Sequence, residues 1–271
     1  MSTASLPIDP YAEESRTSPV RFLHRLNPLA KLLAPLPAMV LLVFVRDLAT
    51  PLALLAVAYA VLLVGARMTP RLAAMLFVVV PLFTAIMTAG FAVWTDPAGI
   101  SHDGVVLRIG EWTLYGAALA TGGATGLRLA AIIALALIAG VTTTGPDLAR
   151  SLVQQLRVPY RVGYTAIAAF RFVPRFRREL EIIRHAHRVR GQARGPLAAI
   201  GRGFGYIVPL LAGAIRHAER VALAMDARAF GAYPDRTERH TVPFRARDTA
   251  FVVLFVAVSA VLFALLFPWG R

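Results

Sequence analysis

Apolar positions gather into five runs, near 29–45, 48–66, 72–94, 114–143 and 250–267, and each is about the length of helix, roughly 20 residues, that crosses a hydrocarbon core. The fourth, "LYGAALATGGATGLRLAAIIALALIAGVTTT", is long, rich in small residues and interrupted by Arg128. Pro35 and Pro37 leave open whether the first run is one straight helix or a broken one.

Between the fourth and fifth runs the pattern changes. Phe172, Phe176, Leu180, Ile183 and His187 recur at helical spacing, with Arg171, Arg175, Arg178 and Arg188 off that stripe. A second stripe runs through Leu211, Ile215, Ala218, Ala222 and Met225. Gly191 and Gly231 stand where C-terminal glycine stops belong, and Pro196 suits the first turn of a helix. The spacing predicts two long amphipathic helices, preceded by a shorter one near 146–156. The fold class expected is an all-α integral membrane protein of about five transmembrane helices with a helical cytoplasmic domain. Its divisions are a tail over 1–28, a membrane domain of about four helices over 29–144, the helical domain over 145–247 and a last transmembrane helix over 248–271. The tail mixes acids, arginines and prolines without a signal-peptide core, and is expected to be mostly disordered.

Composition agrees with a membrane protein. The mean hydropathy is +0.62 and 16% of residues are charged, where soluble domains have about a quarter. The 28 arginines, one lysine and 15 acids give a net charge of +14, and residues 145–247 hold +12 of it, 19 arginines against seven acids. By the positive-inside tendency this segment is cytoplasmic, with the tail (Arg16, Arg21, Arg25, Lys31) and the loop bearing Arg67 and Arg71. The loop at 95–113, with Asp96, Asp103 and Glu111 against Arg108, falls outside. The N-terminus is therefore expected inside.

The chemistry of most enzymes lacks its residues. Cysteine is absent, which excludes disulfides, thiolate metal sites and a Cys nucleophile. A nucleotide-hydrolysing loop needs a lysine after its glycines, and Lys31 follows no such loop. "GGATGLR" at 122–128 lacks that ending, and Gly122 and Gly126 read instead as close helix packing at GxxxG spacing. His185 and His187 are two apart and point to different sides of a helix, while His24, His102, His217 and His240 are scattered, so no metal site is expected. No carboxylate pair lies inside a span. Arg128 is a candidate intramembrane functional residue or, equally, a side chain that snorkels to the interface.

What is left is arginine at helix ends. "HRVRG" at 187–191 and "DARAFG" at 226–231 each put one in the last turn of an amphipathic helix. Either alone is an ordinary favourable cation near a helix C-terminus. Together, on consecutive helices, they suggest two equivalent fingers for two equivalent partners.

With these residues the chain resembles the transmembrane T component of an energy-coupling factor transporter, an ABC-type importer. "LHRLNPLAKLL" at 23–33 is similar to that family's opening segment. "GLRLAAIIALALIAGVTTTGPDLARSLVQQLRVPYRVGYTAIAAFRFVPRFRRELEIIRHAHRVRG" at 126–191 resembles its central region, and "ALAMDARAFG" at 222–231 its second coupling segment. In the family, two cytoplasmic helices end in Ala-Arg-Gly, and each inserts into a groove of an ATP-binding cassette subunit. The resemblance carries the first signature to Val189, Arg190 and Gly191 and the second to Ala227, Arg228 and Ala229, with Val for Ala in one and Ala for Gly in the other. A literal Ala-Arg-Gly also stands at 193–195, beyond the Gly191 stop, and makes Arg194 the alternative to Arg190.

The resemblance implies no catalysis and no cofactor on this chain. ATP and Mg belong to two partner ATPases, and a membrane-embedded S component binds the substrate, a vitamin or a transition-metal ion. The lipid bilayer is the remaining partner, nucleic acid is not one, and the location implied is a prokaryotic plasma membrane. Two other classes compete. An integral membrane enzyme needs a nucleophile with a base, a metal cluster or paired acids, and none is found. A membrane-anchored nucleic-acid binder draws on the basic arm but has no recognisable base-reading module.

Overall fold

A computed structural model describes residues 21–94, 105–109, 112–190, 196–233, 238 and 240–266. In chain order the helices are α1 (Pro28–Leu33), α2 (Leu36–Leu42), α3 (Ala49–Gly65), α4 (Pro70–Ala74), α5 (Val80–Trp94), α6 (Gly116–Thr142), α7 (Gly145–Leu156), α8 (Tyr160–Val189), α9 (Pro196–Asp226) and α10 (Ala246–Leu266). The all-α class holds with one exception. In the segment read as a plain loop, β1 (Val105–Ile109) and β2 (Trp112–Tyr115) pair antiparallel, with Arg108 opposite Thr113. Alternating branched and aromatic residues favour such a ribbon, and the stretch was too short to stand out beside the spans. The chain divides into two compact units, residues 1–144 with 243–271, and residues 145–242.

In the first unit, Asn27 caps α1 by accepting the Leu29 N–H at 2.9 Å, with Pro28 at the first helical position. The first apolar run is broken, since Pro35 separates α1 from α2. Thr69 caps α4 in the same manner, accepting from Leu72 N–H at 3.2 Å. A π-helical turn, Met75–Val79, joins α4 to α5, and the Tyr59 hydroxyl donates to the Leu76 carbonyl within it. By length and composition, Pro70–Trp94, Gly116–Thr142 and Ala246–Leu266 can each cross a membrane, while Pro28–Leu42 and Ala49–Gly65 are shorter apolar stretches.

The core of this unit is built from small and aliphatic side chains, among them Ala58, Leu62, Ala131, Ala134, Leu135 and Ile138. Large apolar residues point the other way: Phe44 is 72% exposed and Trp94 89%. Such a surface suits lipid rather than water.

The described residues of the second unit form three helices. Gly163 of α8 lies so close to α7 that a Cβ there would come 2.1 Å from Val153, and a Cβ at Gly145 would come 2.3 Å from the Phe170 ring. Arg157, at φ 53°, turns the chain out of α7, and Pro159 begins the next element. Between α8 and α9, Phe172 meets His217 edge-on at 4.6 Å and His187 meets Tyr206 at 5.2 Å. The α8 stripe expected from periodicity therefore does face α9. The α9 stripe does not face α8: Tyr206, Gly213 and His217 do, and Leu211 and Ile215 are more than half exposed.

Candidate functional site

The two arginines selected from sequence occupy matching places on successive helices. Arg190 is the C-cap of α8, its N–H reaching the Ala186 carbonyl at 3.2 Å. Val189 before it is 89% exposed, and Gly191 and Arg194 lie outside the described residues. At the end of α9 the Phe230 N–H bonds back to Met225 O at 3.0 Å and the Ala229 N–H to Asp226 O at 2.9 Å. That pair of bonds is a Schellman stop, with Ala229 in the left-handed position at φ 55°. Arg228 directly precedes it. The stop is thus made two residues before Gly231, where the sequence suggested it.

Ala227, Arg228 and Ala229 are all exposed, as is Arg190. Among the described residues neither guanidinium has a hydrogen-bond or ion-pair partner. A planar, permanently charged fork at a helix end is suited to carboxylates or carbonyls of another chain.

The turn that carries Arg228 is held by the start of α8. Arg161 donates to Gly231 O at 2.7 Å, the Tyr160 hydroxyl donates to Tyr233 O at 2.8 Å, and the Tyr164 hydroxyl bonds Glu238 Oε2 at 2.9 Å. Sequence reasoning missed these residues, since some 70 positions separate the partners and no local pattern links them.

The other selected residues sit in the first unit. Arg128, on α6, donates to Val45 O at 2.9 Å and Val43 O at 3.3 Å, the carbonyls left free where α2 ends. Gly122 and Gly126 face α5: a Cβ at Gly122 would stand 2.5 Å from Thr88 O, and one at Gly126 3.0 Å from Thr84 O.

A buried polar cluster joins three helix ends. Asp248 accepts the Asn27 N–H with Oδ1 and the Arg245 N–H with Oδ2, both at 2.7 Å, so one carboxylate serves the starts of α1 and α10. Lys31 donates to Thr142 O at 2.7 Å, at the C-terminus of α6, where a cation opposes the helix dipole. The Asn-Pro pair and an acid in the first turn of α10 are capping signals that could have pointed to it.

A cavity of 520 Å³ is lined by Met87, Gly90, Phe91, Trp94, Thr121 and Thr125. Its two hydroxyls already donate to helix carbonyls, Thr121 to Ala117 and Thr125 to Thr121, each at 3.0 Å. Among the described residues no three of His, Cys, Asp and Glu gather as a metal site.

Residues 19–239 match the model of the CbiQ family, described as cobalt transport protein. The chain is 26% identical to the energy-coupling factor transporter transmembrane protein EcfT of Bacillus subtilis, over 61% of this chain and 67% of that one. It is 25% identical to the EcfT of Streptococcus thermophilus, over 90% and 94%. A Bifidobacterium longum protein named as an ABC transporter ATP-binding protein is 30% identical over 90% of this chain, which spans about a third (32%) of that protein's length. These relatives and the outward-facing apolar helices make the chain a multi-pass protein of the prokaryotic plasma membrane. It belongs to the CbiQ family, that of the transmembrane components of energy-coupling factor transporters.

Proposed function

We propose that the chain is the coupling subunit of an energy-coupling factor importer, transmitting the motion of two ATPases to a substrate-binding S component. The observation that carries this reading is the repetition at the ends of α8 and α9, an exposed arginine at each, on a unit dominated by arginine. Two like grooves on two like ATPases would receive Arg190 and Arg228. The Bifidobacterium relative supports such a partnership, since its name is that of an ABC ATP-binding protein and it carries a stretch similar to this chain.

In this reading the N-terminus and residues 145–247 are cytoplasmic, and ATP and Mg are bound by the partners. ATP binding draws the ATPases together and hydrolysis lets them part; the arginine-tipped helices follow, and the S component reorients to release a vitamin or a transition-metal ion inward. The S component rests against the α9 stripe, where Leu211 is 57% and Ile215 53% exposed. A face that apolar is an aggregation liability in cytoplasm unless covered. This chain has no reaction of its own and no nucleic-acid partner.

The test is affinity purification of the tagged chain from native membranes, beside Arg190→Glu with Arg228→Glu. Two ATP-binding cassette subunits and a small membrane protein should accompany the wild type, and the ATPases should be lost from the variant. Normal membrane insertion without any ATPase in either sample overturns the reading. Arg194→Glu, alone and with Arg228→Glu, decides between Arg190 and Arg194.

A further inference from the structure

The turn over 227–233 starts on backbone bonds of α9, over residues 227–230, and runs on beyond them. Two of its residues have positive φ, Ala229 at 55° and Gly231 at 89°. Its local bonds run back to Leu223, Met225 and Asp226 and from the Ala232 N–H to Ala229 O at 3.1 Å. The part of the turn beyond Phe230 lies past the last α9 bonds, and a helix end of that kind frays readily. Its place is set by α8. The Phe230 ring lies edge-on to both Tyr160 and Tyr164, at 5.7 and 6.2 Å, an arrangement favourable to aromatic pairs. Tyr160 and Arg161 bind the carbonyls on either side of Ala232, at Tyr233 and Gly231.

Arg161 also lies flat against Gly231. A Cβ at that residue would stand 3.2 Å from Arg161 Nε and Nη2, and the φ of 89° is one that L side chains rarely adopt. The φ favours glycine there, and a Cβ would also press on the guanidinium, which would have to move by a few tenths of an ångström.

The other end of α8 carries Arg190. One helix of 30 residues, about 45 Å at 1.5 Å per residue, therefore bears one arginine on its last turn and grips the support of the other with its first. We propose that Tyr160, Arg161 and Tyr164 are positioning residues that seat Arg228, making α8 the strut that sets the spacing of the two arginines. This rests on the coupling reading, in which two ATPases must be engaged at once and the second contact gains from a fixed span.

The experiment uses the full chain with the ATPases that co-purify with it. Because the chain has no cysteine, Arg184→Cys and Ala232→Cys accept one spin-label pair that reports the distance from α8 to the turn. Three backgrounds are compared with wild type: Tyr160→Phe with Arg161→Met, Tyr160→Phe with Arg161→Lys, and Gly231→Ala. The narrow wild-type distance distribution should broaden with Arg161→Met and with Gly231→Ala. ATPase capture, assayed without labels, should fall about tenfold, as loss of two ordinary hydrogen bonds would give. Arg161→Lys, which keeps a cationic donor, should restore most of both.

An unchanged distribution, or unchanged capture while Arg228→Glu abolishes it, overturns the strut and leaves the coupling reading standing. If Arg228→Glu itself captures ATPases like wild type, the coupling reading falls and the strut's function with it. Gly231→Ala perturbs the seat from the opposite side, so the test survives a failure of the double variant to fold.

Discussion

Charge is handled in opposite ways in the two compact units. In the unit of residues 1–144 and 243–271, Lys31 is 2% and Asp248 1% exposed, and both are bound to main-chain groups at helix ends. Arg128 likewise binds the carbonyls at the end of α2. In the unit of residues 145–242, Arg157, Arg190 and Arg228 stand exposed at helix ends. Buried ions must be matched where they lie, because an unmatched one costs several kcal/mol (about 3–5 when a partner is removed). Exposed ones contribute little to the stability of their own fold and remain available to another chain. Hence the buried charges of the first unit fasten helices, and the helix-end arginines of the second are offered outward.

The hardest way to break this contrast is at Asp248. Asp248→Leu leaves the buried Asn27 N–H and the part-buried Arg245 N–H without their acceptor and should cost about 2–3 kcal/mol, read as lost thermal stability in detergent. Arg190→Leu or Arg228→Leu should change the same measurement by less than about 0.5 kcal/mol. Equal losses in the two units would erase the distinction.

Glycines sharpen it next. Gly122→Ala drives a Cβ to within 2.5 Å of Thr88 O and 2.7 Å of Ala92 N, and should destabilise by about 1–3 kcal/mol through forced backbone shifts. Gly140→Ala on the same helix meets nothing within 4 Å and should be neutral or stabilising by up to about 1 kcal/mol. The two variants separate helix–helix approach from helix propensity by melting temperature alone.

Ala229→Gly is expected to act in the stabilising direction. It removes the cost of an L side chain at φ 55°, of order 1 kcal/mol, and leaves the Schellman bonds in place. A higher unfolding midpoint for the second unit, with ATPase capture no weaker, is the expected result.

The smallest effect is pH-dependent and belongs to His217. Its pKa is lowered, first by burial against α8 and then by Arg175 of α8 and Arg220 of its own helix. The unfolded chain therefore binds a proton that the folded one resists. Stability present above the ordinary value of 6.5 should be lost as pH falls from there through the lowered folded value. Unfolding midpoints from about pH 7.5 to about pH 5 should show a flatter profile for His217→Gln than for wild type.

Much of the fold was legible because the two periodicities are strong. Long apolar runs can hide their backbone polar groups from lipid only as helices, so α3, α6 and α10 follow from hydropathy alone. The Phe172 to His187 stripe likewise identified the face of α8 that meets α9. The α9 stripe misled. Its apolar residues stay exposed while Tyr206, Gly213 and His217 make the helix contact, because α8 presents polar and aromatic groups there, Glu179 beside Gly213 among them. A period shows which residues share a face, but not what that face meets.

By itself, then, the sequence determined the membrane helices, the basic character of residues 145–242 and an arginine at the end of each long helix, since these depend on neighbours within a few turns. Only the tertiary structure decided that Ala229 rather than Gly231 ends α9, that Asp248 ties α10 to Asn27, and that Tyr160 and Arg161 seat the turn beside Arg228. The last two depend on partners that the chain brings together only by folding; across 70 or 221 positions no local pattern can record the contact.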